Sequence, residues 1–143
     1  MTYQHTQHAP LGWILALIGA ALAATGAFAD VRLLLPVGLI GVILIFVALC
    51  FATLTIEDEG ELLVLRYGPL PLVRKRIAFA SITSAFPSRS AFIDGWGIHY
   101  IPGRGWTYNL WGRDCVELTV NGRTLRIGSD DAENLASFLQ SRI

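Results

Sequence analysis

The sequence has few cysteines and shows no excess of charge of either sign. Its 143 residues include two cysteines, Cys50 and Cys115. That number excludes a disulfide-rich scaffold, and because Cys50 lies in an apolar run and Cys115 begins a predicted strand, we expect both to remain thiols. Lys plus Arg and Asp plus Glu each number 11. This balance excludes the overall excess of basic residues that is typical of nucleic-acid-binding proteins.

Charge is scarcest before residue 54, where Asp30 and Arg32 are the charged residues. They separate two long apolar runs, Leu11–Ala29 and Leu33–Thr53. About 20 apolar residues are enough for a helix to cross the hydrocarbon core of a bilayer. The runs therefore predict a transmembrane helical hairpin, with helices at 11–29 and 33–53.

Small residues recur along both predicted helices. Gly19, Ala23 and Ala27 follow one another at intervals of four in the first run, and Gly38 and Gly41 lie in the second. Small residues at this spacing let two helix backbones approach closely. We therefore expect Gly38 and Gly41 to face the first helix.

A cleaved signal peptide is the rival interpretation of the first run. Ala27-Phe28-Ala29 before Asp30 resembles a signal-peptidase site. The run is long for a signal peptide, and Met1–Pro10 lacks the expected positive charge, so an uncleaved helix is favoured. Met1–Pro10 is short and polar, and we expect it to be a disordered, solvated tail. Its His5 and His8 lack the further ligand that a metal site needs.

The hydrophobic period changes after Thr53 and predicts about seven short antiparallel strands. The best-defined hairpin turns at Asn121-Gly122, because both positions of that turn favour positive φ. This turn sets Leu118 opposite Leu125, Val116 opposite Ile127 and Glu117 opposite Arg126. The other strand candidates are Leu54–Ile56, Leu62–Tyr67, Val73–Phe79, Ile82–Pro87, and Gly95–Ile101 with Trp106–Gly112 around the loop Pro102–Gly105.

A helix is predicted at the C-terminus. Asp130 is the expected N-cap, with Glu133 three residues later as in a capping box. An apolar stripe follows and predicts that the helix covers the open end of the sheet. Its members are Leu135, Phe138, Leu139 and Ile143.

The residues after Thr53 resemble bacterial membrane-anchored proteins with a pleckstrin-homology-like (PH-like) domain. The resemblance rests on Gly95–Tyr100, Gly105–Leu110, Val116–Leu118 and Arg126–Asp130, with Arg66–Pro69 and Arg76-Ile77 upstream. It implies a transmembrane α-helical hairpin followed by a small mainly-β PH-like domain over 54–143, in the bacterial inner membrane, with no defined activity. One departure is the acidic segment Glu57–Glu61, because the corresponding loop of phosphoinositide-binding relatives is basic. Phosphoinositide is therefore not expected as a ligand.

No motif for catalysis or for a cofactor is present in the sequence. It lacks a P-loop and zinc-ligand spacing, and Gly95-Trp96-Gly97 does not continue as a dinucleotide fingerprint. Asp94, Asp114 and Asp130-Asp131 lie at turns or at the helix start, where backbone capping explains them. We predict that the protein is not an enzyme and binds neither a cofactor nor a metal.

Two groups of residues are candidates for an interaction surface. The first is the basic cluster Arg74, Lys75 and Arg76, whose alternatives are contact with anionic lipid headgroups and a solvated strand face. The second is the aromatic hairpin, where the alternatives are a ligand-stacking or interfacial surface and ordinary cross-strand packing. Its aromatic members are Trp96, Tyr100, Trp106, Tyr108 and Trp111, with Arg104 at the tip of the hairpin.

The sequence thus predicts a non-enzymatic integral membrane protein, multi-pass in the inner membrane, that presents a cytoplasmic PH-like protein-interaction module. The alternative is a membrane-surface module that senses anionic lipid with the basic cluster and the aromatic hairpin. The expected partners are the lipid bilayer and either another membrane protein or a second copy of the chain. Nucleic acid is not expected as a partner.

Overall fold

The computed structural model describes residues 2–28, 31–91 and 96–143, without the side chains from 27 to 34. Two sheets, two long helices that pair with each other, a 3-10 turn at Phe79–Ser81 and one short C-terminal helix make up this part of the chain. In chain order the elements are β1 (Gln4–His8), α1 (Pro10–Phe28), α2 (Val31–Cys50), β2 (Thr53–Asp58), β3 (Leu62–Gly68), β4 (Arg74–Ala78), β5 (Ile82–Arg89), β6 (Gly97–Ile101), β7 (Gly105–Asn109), β8 (Asp114–Val120), β9 (Arg123–Gly128) and α3 (Ala132–Gln140).

The predicted transmembrane hairpin is wrong. Within the residues that the structure describes, none of the helices is long and apolar enough to cross a membrane. The second helix also ends earlier than predicted, at Cys50, and Thr53, the last residue of the predicted span, already begins strand β2. This finding overturns the predicted fold class, the integral membrane protein and its inner-membrane localisation, and also the resemblance to a membrane-anchored PH-like family.

The N-terminal segment is not the disordered tail that we expected. Gln4–His8 forms strand β1, which pairs antiparallel with β2 from Gln4 opposite Glu57 to His8 opposite Thr53. The strand is held at its start as well, because the Tyr3 hydroxyl donates to an Asp131 carboxylate oxygen at 3.0 Å. Local composition gave no sign of this strand, since its partner lies about 50 residues further along the chain.

Helices α1 and α2 approach closely where both present glycine. A Cβ on Gly41 would lie 2.5 Å from the Gly19 carbonyl oxygen and from the Ala23 nitrogen. A Cβ on Gly38 would lie 3.5 Å from the Gly26 Cα, which is ordinary contact. The prediction that Gly38 and Gly41 face the first helix is confirmed, and the Ala27 side chain lies outside the described residues.

The first sheet has the order β1-β2-β3-β4, and all its pairs are antiparallel. Its inner face carries buried apolar side chains at alternate positions of β2 and β3, as a half-buried sheet requires. The fully buried members are Leu54, Ile56, Leu63, Leu65 and Tyr67. The helical pair joins this sheet at its base, where the Ala52 N–H donates to the Gly68 carbonyl at 2.9 Å.

The second sheet has the order β5-β8-β9-β7-β6, with β7 and β9 parallel and the other neighbours antiparallel. The Asn121-Gly122 hairpin is confirmed, since both residues have positive φ and all three predicted pairs occur in register. The β6–β7 hairpin is also present, although β7 begins at Gly105 rather than Trp106. Asp94 and Gly95, which we assigned to a turn and to the start of this hairpin, lie outside the described residues.

One apolar core lies between the two sheets and is closed by α3. Leu135 and Leu139 are fully buried against the sheets, whereas Ile143 lies beyond the helix and is half exposed. The predicted cap is wrong by one residue, because the N-cap is Asp131, which makes no side-chain capping bond. The prediction that Cys50 and Cys115 remain thiols is confirmed, and both are buried.

Candidate interaction surfaces

An exposed apolar surface lies on the helical pair. We call it the apolar helical face, and it is defined by exposed side chains on both helices: Trp13, Ile14, Leu17, Ile18, Leu35, Leu39, Ile40, Val42, Ile43, Phe46, Val47 and Leu49. Leu17 is 72% exposed and Leu39 is 60% exposed. Contiguous exposed apolar patches beyond a few hundred Å² mark interaction sites in monomeric domains. None of these residues was a candidate in the sequence analysis, which assigned them to contact with lipid.

The base of the helical pair is fixed to the sheets by aromatic packing. Phe51 meets the Tyr67 ring edge-on, with 5.4 Å between centroids, and the Tyr67 hydroxyl donates to the Asn109 carbonyl at 3.3 Å. Burial raises the pKa of Tyr67 well above its usual value, and the neighbouring Tyr108 adds to the shift. The apolar helical face is therefore carried on a base that is anchored in the core.

The predicted aromatic hairpin divides into two groups. Trp96 packs on Trp111 with 4.4 Å between ring centroids, beside the base of the helices. At the other end Tyr100 lies 5.5 Å from Trp106, which in turn lies 6.1 Å from Tyr108. Tyr100 and Trp106 remain about half exposed.

Cross-strand register explains why Tyr100 and Trp106 remain exposed. Trp106 pairs with Leu125, so it lies on the face of the sheet that carries the core. Tyr100 lies opposite Trp106 at the outer edge. The rings of Tyr100 and Trp106 therefore lie on the core side of the sheet, but outside the fully buried part of the core.

A cleft of about 560 Å³ lies beside this second aromatic group. We call it the arginine cleft, and its lining is Tyr100, Gly103, Arg104, Gly105, Trp106, Arg123 and Thr124. It lies where the β6–β7 loop meets the β8–β9 turn. Among the described residues, the lining contains two guanidinium groups and no carboxylate. Sequence reasoning named Arg104 at the loop tip but missed Arg123, because the pairing of β7 with β9 joins segments that are distant in the chain.

The basic cluster is divided by the alternation of β4. Arg74 and Arg76 are exposed on the outer side of this edge strand, and Lys75 points inward. The Lys75 ammonium lies 6.0 Å from the Tyr108 ring centroid, within the range of a cation–π contact. The cluster therefore does not present three adjacent cations to one partner.

A polar row crosses the outer face of the second sheet. Arg126 donates to the Arg104 carbonyl at 2.7 Å and forms an ion pair with Glu117 at 2.7 Å. Next in the row are Thr107, opposite Arg126, and His99, opposite Thr107. Within the described part of the chain, the Thr107 hydroxyl and the His99 Nε2 are buried and have no hydrogen-bond partner. The row holds the β6–β7 loop against β9 and so fixes the wall of the arginine cleft.

Among the described residues, no cluster of His, Cys, Asp and Glu side chains is suited to hold a metal ion. Comparison of the chain with protein-family models and with curated proteins finds no match. The interaction surfaces must therefore be interpreted from their own chemistry.

Proposed function

We propose that the protein is a non-enzymatic self-assembly module in which the apolar helical face of one copy docks on the same face of a second copy. The observation that supports this proposal is the apolar helical face itself, which is exposed on helices that pack well against each other. The sheets then act as a rigid base that carries the helices.

The size of the face fits a stable dimer. Twelve described apolar side chains contribute to it. At roughly half exposure these twelve side chains, ten aliphatic and two aromatic, offer on the order of 1,000 Å² in total. Stable interfaces bury about 800 Å² per partner. At about 25 cal/mol per Å², this area favours association over exposure to water.

The chemistry of the face favours a second copy as its partner. The sequence has no charged residue from Met1 to Ala29 or from Leu33 to Ile56, so the face offers no ionic group for a charged partner. An apolar surface is complementary to itself, and a two-fold contact uses the same patch on both chains. Two helices from each copy then form a four-helix arrangement.

The test introduces a charge on the face and at a matched position away from it. Leu17→Glu places a carboxylate on the apolar helical face, and Leu72→Glu places one at the β3–β4 connection, where the wild-type leucine is 67% exposed. We expect light scattering after size-exclusion chromatography to give the mass of one chain for Leu17→Glu. The wild type and Leu72→Glu should both give the mass of two chains.

Two results would overturn the proposal. One is equal assembly of Leu17→Glu and the wild type, because a buried unpaired carboxylate costs several kcal/mol. The other is a wild-type chain that stays as single copies bound to detergent or to phospholipid vesicles, which would make an amphiphile the occupant of the face. Circular dichroism of both variants confirms that the sheets are folded.

A further inference from the structure

A cavity of about 320 Å³ lies at the base of the helical pair, beside the first sheet. We call it the base pocket, and the helices line it with Gly12, Trp13 and Ala16 from α1 and with Ala48 and Leu49 from α2. Cavities that bind small molecules have volumes of about 300–1,000 Å³. A dry cavity of about 150 Å³ is enough for one benzene ring. The base pocket therefore has room for a molecule of two fused rings.

Backbone contacts fix the walls of the base pocket. The Ala9 N–H donates to the Ala52 carbonyl at 2.9 Å, and the Leu70 N–H donates to the Leu49 carbonyl at 3.0 Å. A Cβ on Gly12 would lie 2.9 Å from the Ala52 Cα, so the start of α1 touches the segment that follows α2. The pocket is therefore already formed before a ligand enters, which lowers the entropic cost of binding.

The lining of the base pocket is apolar at one end and polar at the other. Among the described residues, the lining contains no Asp, Glu, Lys or Arg side chain. Trp13 is 69% exposed, so its ring is available for contact with a second ring. His8 and Thr53 also line the pocket, and they lie opposite each other in the β1–β2 register, so their side chains share one face of the sheet. This arrangement suits an uncharged ring with one hydrogen-bonding group.

We propose that the base pocket binds an uncharged two-ring aromatic molecule that donates one hydrogen bond. The rings occupy the space that the small Ala16 and Ala48 side chains leave open, in contact with Trp13. The donor binds the Thr53 hydroxyl, which is half-buried, whereas His8 is exposed. A charged ligand would lose its hydration in this pocket without gaining an ionic partner. The pocket is formed within one chain, so this inference goes beyond self-assembly and does not depend on it.

The experiment follows binding of 5-fluoroindole to the full-length chain by fluorine NMR. Two matched probes accompany it: 5-fluorobenzothiophene has sulfur in place of the N–H donor, and 5-fluoroindole-2-carboxylate adds a negative charge. We expect the carboxylate to bind at least about tenfold more weakly than 5-fluoroindole. Thr53→Val keeps the β-branched shape and removes the hydroxyl. It should weaken binding of 5-fluoroindole by about fivefold and leave 5-fluorobenzothiophene unchanged.

A second pair of variants tests the position of the ligand. Ala16→Leu fills the base pocket and should weaken binding of 5-fluoroindole by about tenfold or more. Ala20→Leu is the matched control, because Ala20 lies one turn further along α1, is exposed and does not line the pocket. It should bind 5-fluoroindole as the wild type does. Circular dichroism confirms that each variant is folded.

Four results would overturn the proposal. They are equal binding of 5-fluoroindole by Ala16→Leu and the wild type, an equal effect of Thr53→Val on both uncharged probes, tighter binding of the carboxylate, and displacement of 5-fluoroindole by octan-1-ol at a lower concentration than by unlabelled indole. Leu17→Glu should bind 5-fluoroindole as the wild type does, and loss of binding in this variant would place the probe between two copies and also contradict the proposal. Because the mass of the assembly is measured separately, failure of this site is distinguishable from failure of self-assembly.

Discussion

The leucines of the sheets and the leucines of the helical pair have the same chemistry but different surroundings. Leu118 between the sheets is fully buried, whereas Leu39 on α2 is 60% exposed. Burial of a leucine stabilises a fold by about 1.5–3 kcal/mol relative to exposure. The sheets therefore bury their apolar residues within one chain, whereas many apolar side chains of the helices stay exposed in a single chain and would be covered in the proposed assembly.

The largest expected effect is the difference in stability lost when a buried leucine of the sheets and an exposed leucine of the helices are each replaced by alanine. Leu118→Ala should lower the free energy of unfolding by about 2–5 kcal/mol, because it leaves a cavity in the closed core. Leu39→Ala should change it by less than about 1 kcal/mol in the dissociated chain. Urea denaturation followed by circular dichroism at low protein concentration measures both. A large loss for Leu39→Ala would show that its side chain is already covered within one copy.

A second, smaller effect concerns the seam between the helices. Alanine in place of glycine favours a helix by about 1 kcal/mol. Gly41→Ala should nevertheless destabilise the helical pair by about 1–3 kcal/mol, because its Cβ would overlap the Gly19 and Ala23 backbone.

Gly38→Ala is the matched control for this seam. Its Cβ would make only ordinary contact with Gly26, so this variant should retain the gain in helix propensity. Thermal melting by circular dichroism compares the two variants. Equal melting temperatures would contradict the close approach at Gly41.

The smallest effect tests the anchor of the helical pair in the sheets. Tyr67→Phe removes the hydrogen bond to Asn109 and should cost about 1 kcal/mol. Because burial raises the pKa of Tyr67 in the folded state, the contribution of its neutral form is complete below about pH 10 and is lost as pH rises further. Tyr67→Phe should therefore lose less stability between about pH 10 and pH 12 than the wild type does. An identical alkaline decline in both proteins would contradict this linkage.

Features set by local chemistry were predictable from the sequence. The Asn121-Gly122 turn fixed the β8–β9 register, because a positive φ at both positions and the alternation of apolar residues agree. The close approach of the helices followed from the spacing of their small residues. In each case the signal and its effect lie within a few helical turns or strand residues.

Features set by long-range pairing were not predictable. Strand β1 depends on a partner about 50 residues away, and the arginine cleft depends on the parallel pairing of β7 with β9. The membrane prediction failed for a related reason, since run length and hydropathy are local signals. They report that residues are apolar and do not report what covers them.

Sedimentation equilibrium of the unmodified full-length chain, over a wide range of protein concentrations and without detergent, tests the central claim most directly. We predict a reversible equilibrium between one and two chains, with two chains dominant at high concentration, because the apolar helical face is covered only in the assembly. A mass of one chain at every concentration would contradict the account.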